Sequence, residues 1–272
     1  MRSRGRALGV AAVVGASLAV GMPTAAADDD GALGYDVSHP QCGDDLPDAP
    51  AFGVVGVNGG LATRPNPCLA EQLAWAAEEA TGEAEFQPEV QLYVNTANPG
   101  QVRHLVTTWP SRGRTPYGRC EGDNSRACSW RYGWERAAVT VKQFFVPAAE
   151  DAGVDPDPGE YTWWLDVETA NTWQTGLAPA RARNRAALEG MVARLTRSGA
   201  EVGLYSTGRQ WRRITGVVLE DSPLYELDSW LAGSTTLAGA RAACHRDPLV
   251  DGGRVVLTQY VTDGLDHDHS CL

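Results

Sequence analysis

Residues 163–168 read Trp-Trp-Leu-Asp-Val-Glu. Three large apolar residues run directly into two acids separated by one valine. A short apolar run of this kind is typical of a strand that is buried on both faces of a parallel sheet. On such a strand Asp166 and Glu168 project from the same face, because side chains alternate with a period of two. The segment therefore predicts a buried strand that brings two carboxyl groups to one place.

Segments of the same strand-like character occur along the whole chain. They lie at 33–37, 52–58, 90–95, 161–167, 201–205, 228–232 and 255–260. Helical patterns separate several of them, at 69–80, 130–151 and 180–198. Repeated strand–helix alternation indicates a parallel sheet. We therefore predict an α/β fold with one irregular β/α barrel, in which the helical signal thins after residue 206.

No linker divides the chain after its first segment. The most irregular stretch is 97–129, which is rich in Pro, Gly, Arg and Ser. It follows the third predicted strand, and we interpret it as an insertion into a single domain. We therefore expect residues 28–272 to form one barrel domain.

Residues 1–27 have the three-part layout of a secretory signal peptide. Three arginines precede an uncharged run of 14 residues, 7–20, and three alanines at 25–27 offer small residues for cleavage. The alternative is an uncleaved membrane anchor, but a span needs roughly 20 apolar residues. No later stretch is long and apolar enough to span a membrane. We expect export and cleavage, and hence a secreted, extracellular or cell-wall-associated protein.

The charge balance argues against a nucleic-acid partner. The chain has 23 Lys and Arg against 34 Asp and Glu, which gives a formal net charge of −11. The composition therefore lacks the excess of basic residues that is typical of proteins that bind polyanions. The oligomeric state does not follow from the sequence.

Six cysteines lie after the predicted signal peptide. In an oxidising compartment an even number favours disulfides, although six cysteines allow fifteen pairings. Their order along the chain suggests Cys42–Cys68, Cys120–Cys128 and Cys244–Cys271. Metal binding is the rival interpretation, but no C-x-x-C motif occurs, and we expect neither a metal nor a cofactor.

Two further acids follow strand-like runs far from residues 163–168. Asp36 follows Gly34-Tyr35, and Asp266 comes shortly after the last predicted strand. Enzymes built on barrels place catalytic groups at the C-terminal ends of the strands. Each acid alone is as well explained by a turn or a helix cap. Together they predict one acidic pocket that contains Asp36, Asp166, Glu168 and Asp266.

These motifs in combination resemble glycoside hydrolase family 25, the secreted N-acetylmuramidase-type lysozymes. The resemblance extends from Gly34 to Asp268 and rests on the following segments: GYDVS at 34–38, WWLDVE at 163–168, GLYST at 203–207, SWLAG at 229–233, TQY at 258–260 and LDHD at 265–268. It implies an incomplete, TIM-like β/α barrel. The cysteines, the insertion at 97–129 and Thr258 before Gln-Tyr are unlike the typical member and indicate a divergent branch.

The resemblance also implies roles for the four acids. Glu168 matches the general acid, and Asp166 matches the group that orients or stabilises the N-acetyl group of the sugar. Asp36 and Asp266 match acids on the first strand and near the C-terminus. Because that family is thought to use the N-acetyl oxygen of its own substrate, a dedicated carboxylate nucleophile is not required, in contrast to the usual pair.

Aromatic and amide side chains near predicted strand ends are candidates for sugar binding. Aromatic rings stack on sugar C–H surfaces, and amides hydrogen-bond to hydroxyl or acetamido groups. The candidates are Asn58, Tyr93, Asn95, Trp164, Asn171, Trp173, Tyr205, Trp211 and Tyr260. Trp163 and Trp230 are better explained as core residues.

The leading functional hypothesis is a secreted glycosidase that hydrolyses cell-wall peptidoglycan or a related N-acetylated glycan. A barrel that binds wall glycan without cleaving it is the alternative, and a structural surface protein is the third possibility. A serine hydrolase is not supported, because no G-x-S-x-G motif occurs.

Overall fold

Eight strands of the computed structural model form a closed barrel. The structure describes residues 33–262 and 264–272, so the predicted signal peptide at 1–27 lies outside the described residues. The barrel strands are β1 (Leu33–Val37), β2 (Gly53–Gly56), β3 (Val90–Asn95), β6 (Thr162–Asp166), β7 (Glu201–Ser206), β8 (Ser229–Ser234), β9 (Val255–Thr262) and β10 (Leu265–Ser270). They close in the order β1-β10-β9-β8-β7-β6-β3-β2. The prediction of an α/β barrel is confirmed.

The irregularity of the barrel lies in its last strand. All neighbouring pairs from β1 through β9 are parallel, whereas β10 runs antiparallel to both β9 and β1. A tight connection can join β9 to β10 because antiparallel neighbours need no crossover helix. This strand was not predicted, since its sequence Leu-Asp-His-Asp-His-Ser has no apolar alternation. Its inward side chains are acids instead.

Helices cover the outside of the barrel. They are α1 (Leu69–Glu79), α2 (Arg126–Val139), α3 (Val146–Ala152), α4 (Ala178–Thr196), α5 (Gly208–Ile214) and α6 (Leu237–Ala243). A π-helical stretch, Thr140–Phe145, joins α2 to α3. The larger apolar core lies between the helices and the outer face of the strands, where the Trp163 and Phe145 rings meet edge to face at 5.2 Å.

Helices α2 and α4 pack backbone against backbone. A Cβ atom on Gly133 would lie 1.8 Å from the carbonyl oxygen of Ala187, and one on Gly190 would lie 2.0 Å from that of Trp130. Real Cβ atoms do not approach other atoms so closely, so both positions require glycine. The cost of glycine inside a helix is thereby offset by close packing.

All three predicted disulfides are present. Cys42–Cys68, Cys120–Cys128 and Cys244–Cys271 are bonded. The second closes the insertion, where β4 (Gly113–Thr115) and β5 (Gly118–Cys120) form a small hairpin. The third ties the end of α6 to the end of the chain. No helix among residues 33–262 and 264–272 is long and apolar enough to cross a membrane.

Candidate active site

A cavity of about 390 Å³ opens at the C-terminal end of the parallel strands. The four acids that the sequence analysis singled out all line it, although they come from β1, β6 and β10. The complete lining is Asp36, Tyr93, Asp166, Glu168, Tyr205, Thr207, Trp230, Ala232, Gly233, Gln259, Val261 and Asp266. We call this space the acidic cavity.

Strand register brings the acids together. Asp36 on β1 is the cross-strand partner of Asp266 on β10. Side chains of such partners have Cβ atoms about 4.5–5.5 Å apart. Glu168 lies two residues beyond Asp166, just after the end of β6, and therefore enters the same cavity.

A hydrogen-bonded chain fixes Asp36. The Gln259 Nε2 group donates to Asp36 Oδ2 at 2.7 Å, and the Tyr205 hydroxyl donates to Gln259 Oε1 at 2.8 Å. Asp36 is 7% exposed, so these bonds form largely away from water and hold its carboxyl group in one orientation.

Glu168 is positioned from α5. Gln210 Nε2 donates to Glu168 Oε1 at 3.0 Å, and the Oε1 atom of Gln210 accepts from the backbone N–H of Thr169 at 2.6 Å. Glu168 is half-buried, in contrast to Asp36 and Asp166, which are buried. It is therefore a carboxyl group of the cavity that is both oriented and accessible to a ligand.

The buried acids favour their neutral forms. Burial raises the pKa of Asp166 well above its ordinary value, and the charges of Glu168 and Asp36 raise it further. Burial and the charge of Asp266 raise the pKa of Asp36, which the Gln259 hydrogen bond partly opposes. The pKa of Asp266 is also raised, by burial and then by Glu168. A crowd of carboxyls in low dielectric retains protons that isolated carboxyls would lose.

Two tyrosines complete the wall of the cavity as neutral hydrogen-bond donors. Burial, followed by the charge of Asp36, raises the pKa of both Tyr93 and Tyr205 well above the ordinary value. The Tyr205 ring also contacts the Trp230 ring, with centroids 4.3 Å apart. The cavity therefore combines acids with aromatic surface, which suits a ligand that has both polar and C–H faces.

A fifth acid, Asp268, lies in the barrel interior close to Asp36. It is completely buried, and neither of its carboxyl oxygens has a hydrogen bond of ordinary geometry among the described residues. The Trp230 indole N–H and the Asp36 carboxyl face it. Burial, and next the charge of Asp36, raises its pKa well above the ordinary value. Asp268 is the last residue of the LDHD segment at 265–268 and is not among the predicted site residues.

Several predicted sugar-binding residues lie elsewhere. Trp164 is in the barrel interior towards the opposite end, where its Nε1 group donates to Gln91 Oε1 at 2.8 Å. Trp211 is buried in the core, because α5 turns this side chain away from solvent. Tyr260 stacks on His267 with ring centroids 4.7 Å apart, on the side of β9 opposite to the inward-facing Gln259. The structure therefore places these three residues outside the acidic cavity, and their role in sugar binding stays a prediction.

The predicted asparagines are divided between structural and peripheral positions. Asn58 is buried, and its Oδ1 atom accepts from the backbone N–H of Asn95 at 3.0 Å. Neither residue lines the acidic cavity, and their role as sugar ligands stays a prediction. Asn171 and Trp173 line a neighbouring cleft of about 290 Å³ that begins at Thr169, next to Glu168. The Trp173 Nε1 group donates to the carbonyl oxygen of Glu168 at 3.0 Å.

Several residues at or beside the site were not predicted, among them Gln259, Gln210 and Asp268. Trp230 belongs to the interior core, as predicted, and also lines the cavity. Period-two alternation on β9 could have found Gln259, because Tyr260 and Gln259 must face opposite sides. No sequence signal identifies Gln210, since a glutamine on a short helix is ordinary. Among the described residues, no group of three or more His, Cys, Asp or Glu is arranged to hold a metal ion.

Comparisons with known proteins bear on the fold. No protein-family model matches the sequence, and no curated protein matches it. A solved structure of a family GH25 lysozyme from Aspergillus fumigatus is similar over 88% of this chain and 93% of that chain, with a TM-score of 0.50 and 14% identity. The chain has the fold of that lysozyme. A bacterial lysozyme from Streptomyces coelicolor also matches, over 89% of this chain and 93% of that one, with a TM-score of 0.47 and 15% identity.

The family 25 lysozyme fold agrees with the expectation drawn from the sequence motifs. At 14% identity this similarity concerns the path of the chain and not the chemistry of the site. The chemistry has to be argued from the acidic cavity itself.

Proposed function

We propose that this protein is a secreted glycosidase that hydrolyses cell-wall peptidoglycan or a related N-acetylated glycan. The observation that carries the proposal is the meeting of Asp36, Asp166, Glu168 and Asp266 in one cavity at the mouth of the barrel. Barrel enzymes place their catalytic groups at this end. The similar structure is a lysozyme, and the sequence motifs resemble the same family.

In the proposed reaction Glu168 is the general acid. Its carboxyl proton passes to the glycosidic oxygen that leaves, while the N-acetyl oxygen of the sugar attacks the anomeric carbon. Asp166, two residues away on the same face, orients the acetamido group by hydrogen bonding to it. Water then opens the cyclic intermediate and returns a proton to Glu168. The hydrogen bond from Gln210 holds one oxygen of Glu168, which leaves the other oxygen for the reacting atom.

Secretion is supported by two independent features. The first 27 residues have the layout of a signal peptide, and all six cysteines form disulfides. Disulfides persist in oxidising compartments and are rare in the cytosol. An exported enzyme of this kind would meet wall glycan outside the cell.

Product analysis tests the proposed function. Purified protein is incubated with purified peptidoglycan, and the products are reduced with borohydride and identified by mass spectrometry. We expect new reducing ends at N-acetylmuramic acid residues. If the protein binds the glycan but releases no reducing ends from any N-acetylated polymer, it is a binding barrel and the enzyme proposal fails. If it neither binds nor cleaves, the acids serve the structure alone.

A further inference from the structure

A second cavity adjoins the acidic cavity and has the opposite charge. It has a volume of about 720 Å³ and lies between α5 and the segment that follows α6. Its lining includes Arg209, Arg212, Arg246 and Asp247. We call it the arginine groove.

The two cavities are continuous. Thr207, Ala232 and Gly233 line both of them. Gly233 has a φ of 103°, and a Cβ atom there would lie 3.3 Å from the Thr207 Cγ2 atom. A larger side chain at this position would be strained and would narrow the passage. A ligand seated in the acidic cavity can therefore extend into the arginine groove.

The arginines of the groove carry uncompensated charge. Arg209, Arg212 and Arg246 are exposed, and none takes part in an ion pair within the described part of the chain. Asp247 is the one carboxylate in the lining, against three arginines. The chain as a whole has a formal net charge of −11, so a cluster of positive charge is not expected from its composition.

Guanidinium groups bind carboxylates and phosphates through paired N–H donors. An uncharged sugar chain does not need such donors, and free anions in solution would be repelled by the rest of the surface. An anion that is covalently attached to the sugar in the acidic cavity is brought to the groove regardless of that repulsion. The geometry therefore favours a branch of the substrate over an independent ligand.

We infer that the arginine groove binds an anionic branch of the glycan that occupies the acidic cavity. The inference rests on the proposed function, because it takes the sugar chain as the ligand of the acidic cavity. Two kinds of branch have the required chemistry: a peptide with free carboxylates and a polymer linked through phosphodiesters. Binding of the branch fixes which face of the glycan is presented to Glu168.

The test compares binding of matched glycan fragments. Soluble peptide-bearing fragments of peptidoglycan are prepared in native form and with their carboxylates converted to methylamides. Fragments that carry a phosphodiester-linked polymer are compared before and after its removal with hydrofluoric acid. Affinities are measured by calorimetry for the unsubstituted protein, for Arg209→Gln/Arg246→Gln and for Arg197→Gln. Arg197 is an exposed arginine that directly follows α4, outside both cavities, and serves as the matched control.

We expect the unsubstituted protein and Arg197→Gln to bind the anionic fragment about 10-fold more tightly than its neutralised form, as charge-assisted contacts allow. The double variant should lose this preference, and added salt should weaken it. Whichever fragment shows the preference identifies the branch. Equal affinity for the anionic and neutral forms, or an unchanged preference in a folded double variant, would overturn the inference.

Product analysis of the same fragments, run beside the calorimetry, separates the two proposals. A preference for the anionic fragment without cleavage leaves the groove assignment in place and ends the enzyme proposal. Cleavage without a preference for the anionic fragment supports the enzyme proposal and overturns the groove assignment. If no glycan fragment binds, both proposals fail.

Discussion

Asp268→Asn should stabilise the protein at neutral pH. The Asp268 carboxyl is completely buried and faces the Asp36 carboxyl, so its folded-state pKa is raised. The folded protein therefore holds a proton that the unfolded chain releases above pH about 4. Stability is greatest below that ordinary pKa and falls as the pH rises towards the folded-state value. Asparagine has nearly the same shape but does not titrate. The variant should therefore lack the fall in stability with rising pH that Asp268 causes.

The expected gain at pH 7 is about 1–3 kcal/mol, because each tenfold difference in proton affinity between the folded and unfolded chain is worth about 1.4 kcal/mol. Each kcal/mol corresponds to roughly 2–4 °C in Tm for a domain of this size. Thermal unfolding is followed by circular dichroism at pH 4 and pH 7. At pH 4 the variant and the unsubstituted protein should unfold at similar temperatures. Asp251→Asn makes the same charge change at an exposed position and should alter stability by less than about 0.5 kcal/mol.

Two results would refute this reasoning. The first is a lower Tm at pH 7 for Asp268→Asn than for the control, which would mean that the charged form of Asp268 is used by the fold. The second is an unchanged dependence of Tm on pH, which would mean that Asp268 does not titrate in the folded protein. Asp36 and Asp166 also have raised pKa values, so part of the pH dependence should survive in either case.

Three further outcomes follow from particular contacts. Titration of denatured, unreduced protein should detect essentially no thiols, since all six cysteines are bonded, and two or more thiols per chain would contradict the disulfide assignment. Gln210→Ala removes the donor to Glu168. It should lower kcat about 10-fold with little change in KM, as expected for a lost orienting contact. An unchanged kcat would show that Glu168 needs no support from α5. Gly190→Ala places a methyl group against the carbonyl oxygen of Trp130. It should lower the free energy of unfolding, measured by chemical denaturation, by at least about 1–3 kcal/mol. An unchanged free energy of unfolding would mean that α2 and α4 can separate without cost.

The sequence predicts strands well where apolar runs are continuous. β1 (Leu33–Val37) and β3 (Val90–Asn95) begin and end at the predicted residues, because most of their side chains are apolar. β10 was missed because its inward face consists of Asp266 and Asp268, and a buried acidic face leaves no apolar pattern to detect. The strand that closes the barrel is therefore also the one that local pattern could not reveal.

The acids of the site were easier to predict than its aromatic residues. A carboxyl group after a buried strand is placed at the mouth of a barrel by topology alone. Whether Trp164 or Trp230 reaches the acidic cavity depends on the height of each side chain along the barrel axis. Both face the interior and meet edge to face at 5.8 Å, but only Trp230 reaches the acidic cavity. That height is set by the stagger of neighbouring strands, which no single segment encodes.

The role of Glu168 is tested by comparing the reducing ends that Glu168→Gln and the unsubstituted protein release from purified peptidoglycan. Glutamine keeps the shape of the side chain but has no carboxyl proton to donate. We predict that cleavage falls by about 100-fold or more, the usual contribution of a general acid, while glycan binding and Tm stay nearly unchanged. Cleavage by Glu168→Gln at the rate of the unsubstituted protein would contradict the assignment of Glu168 as the general acid.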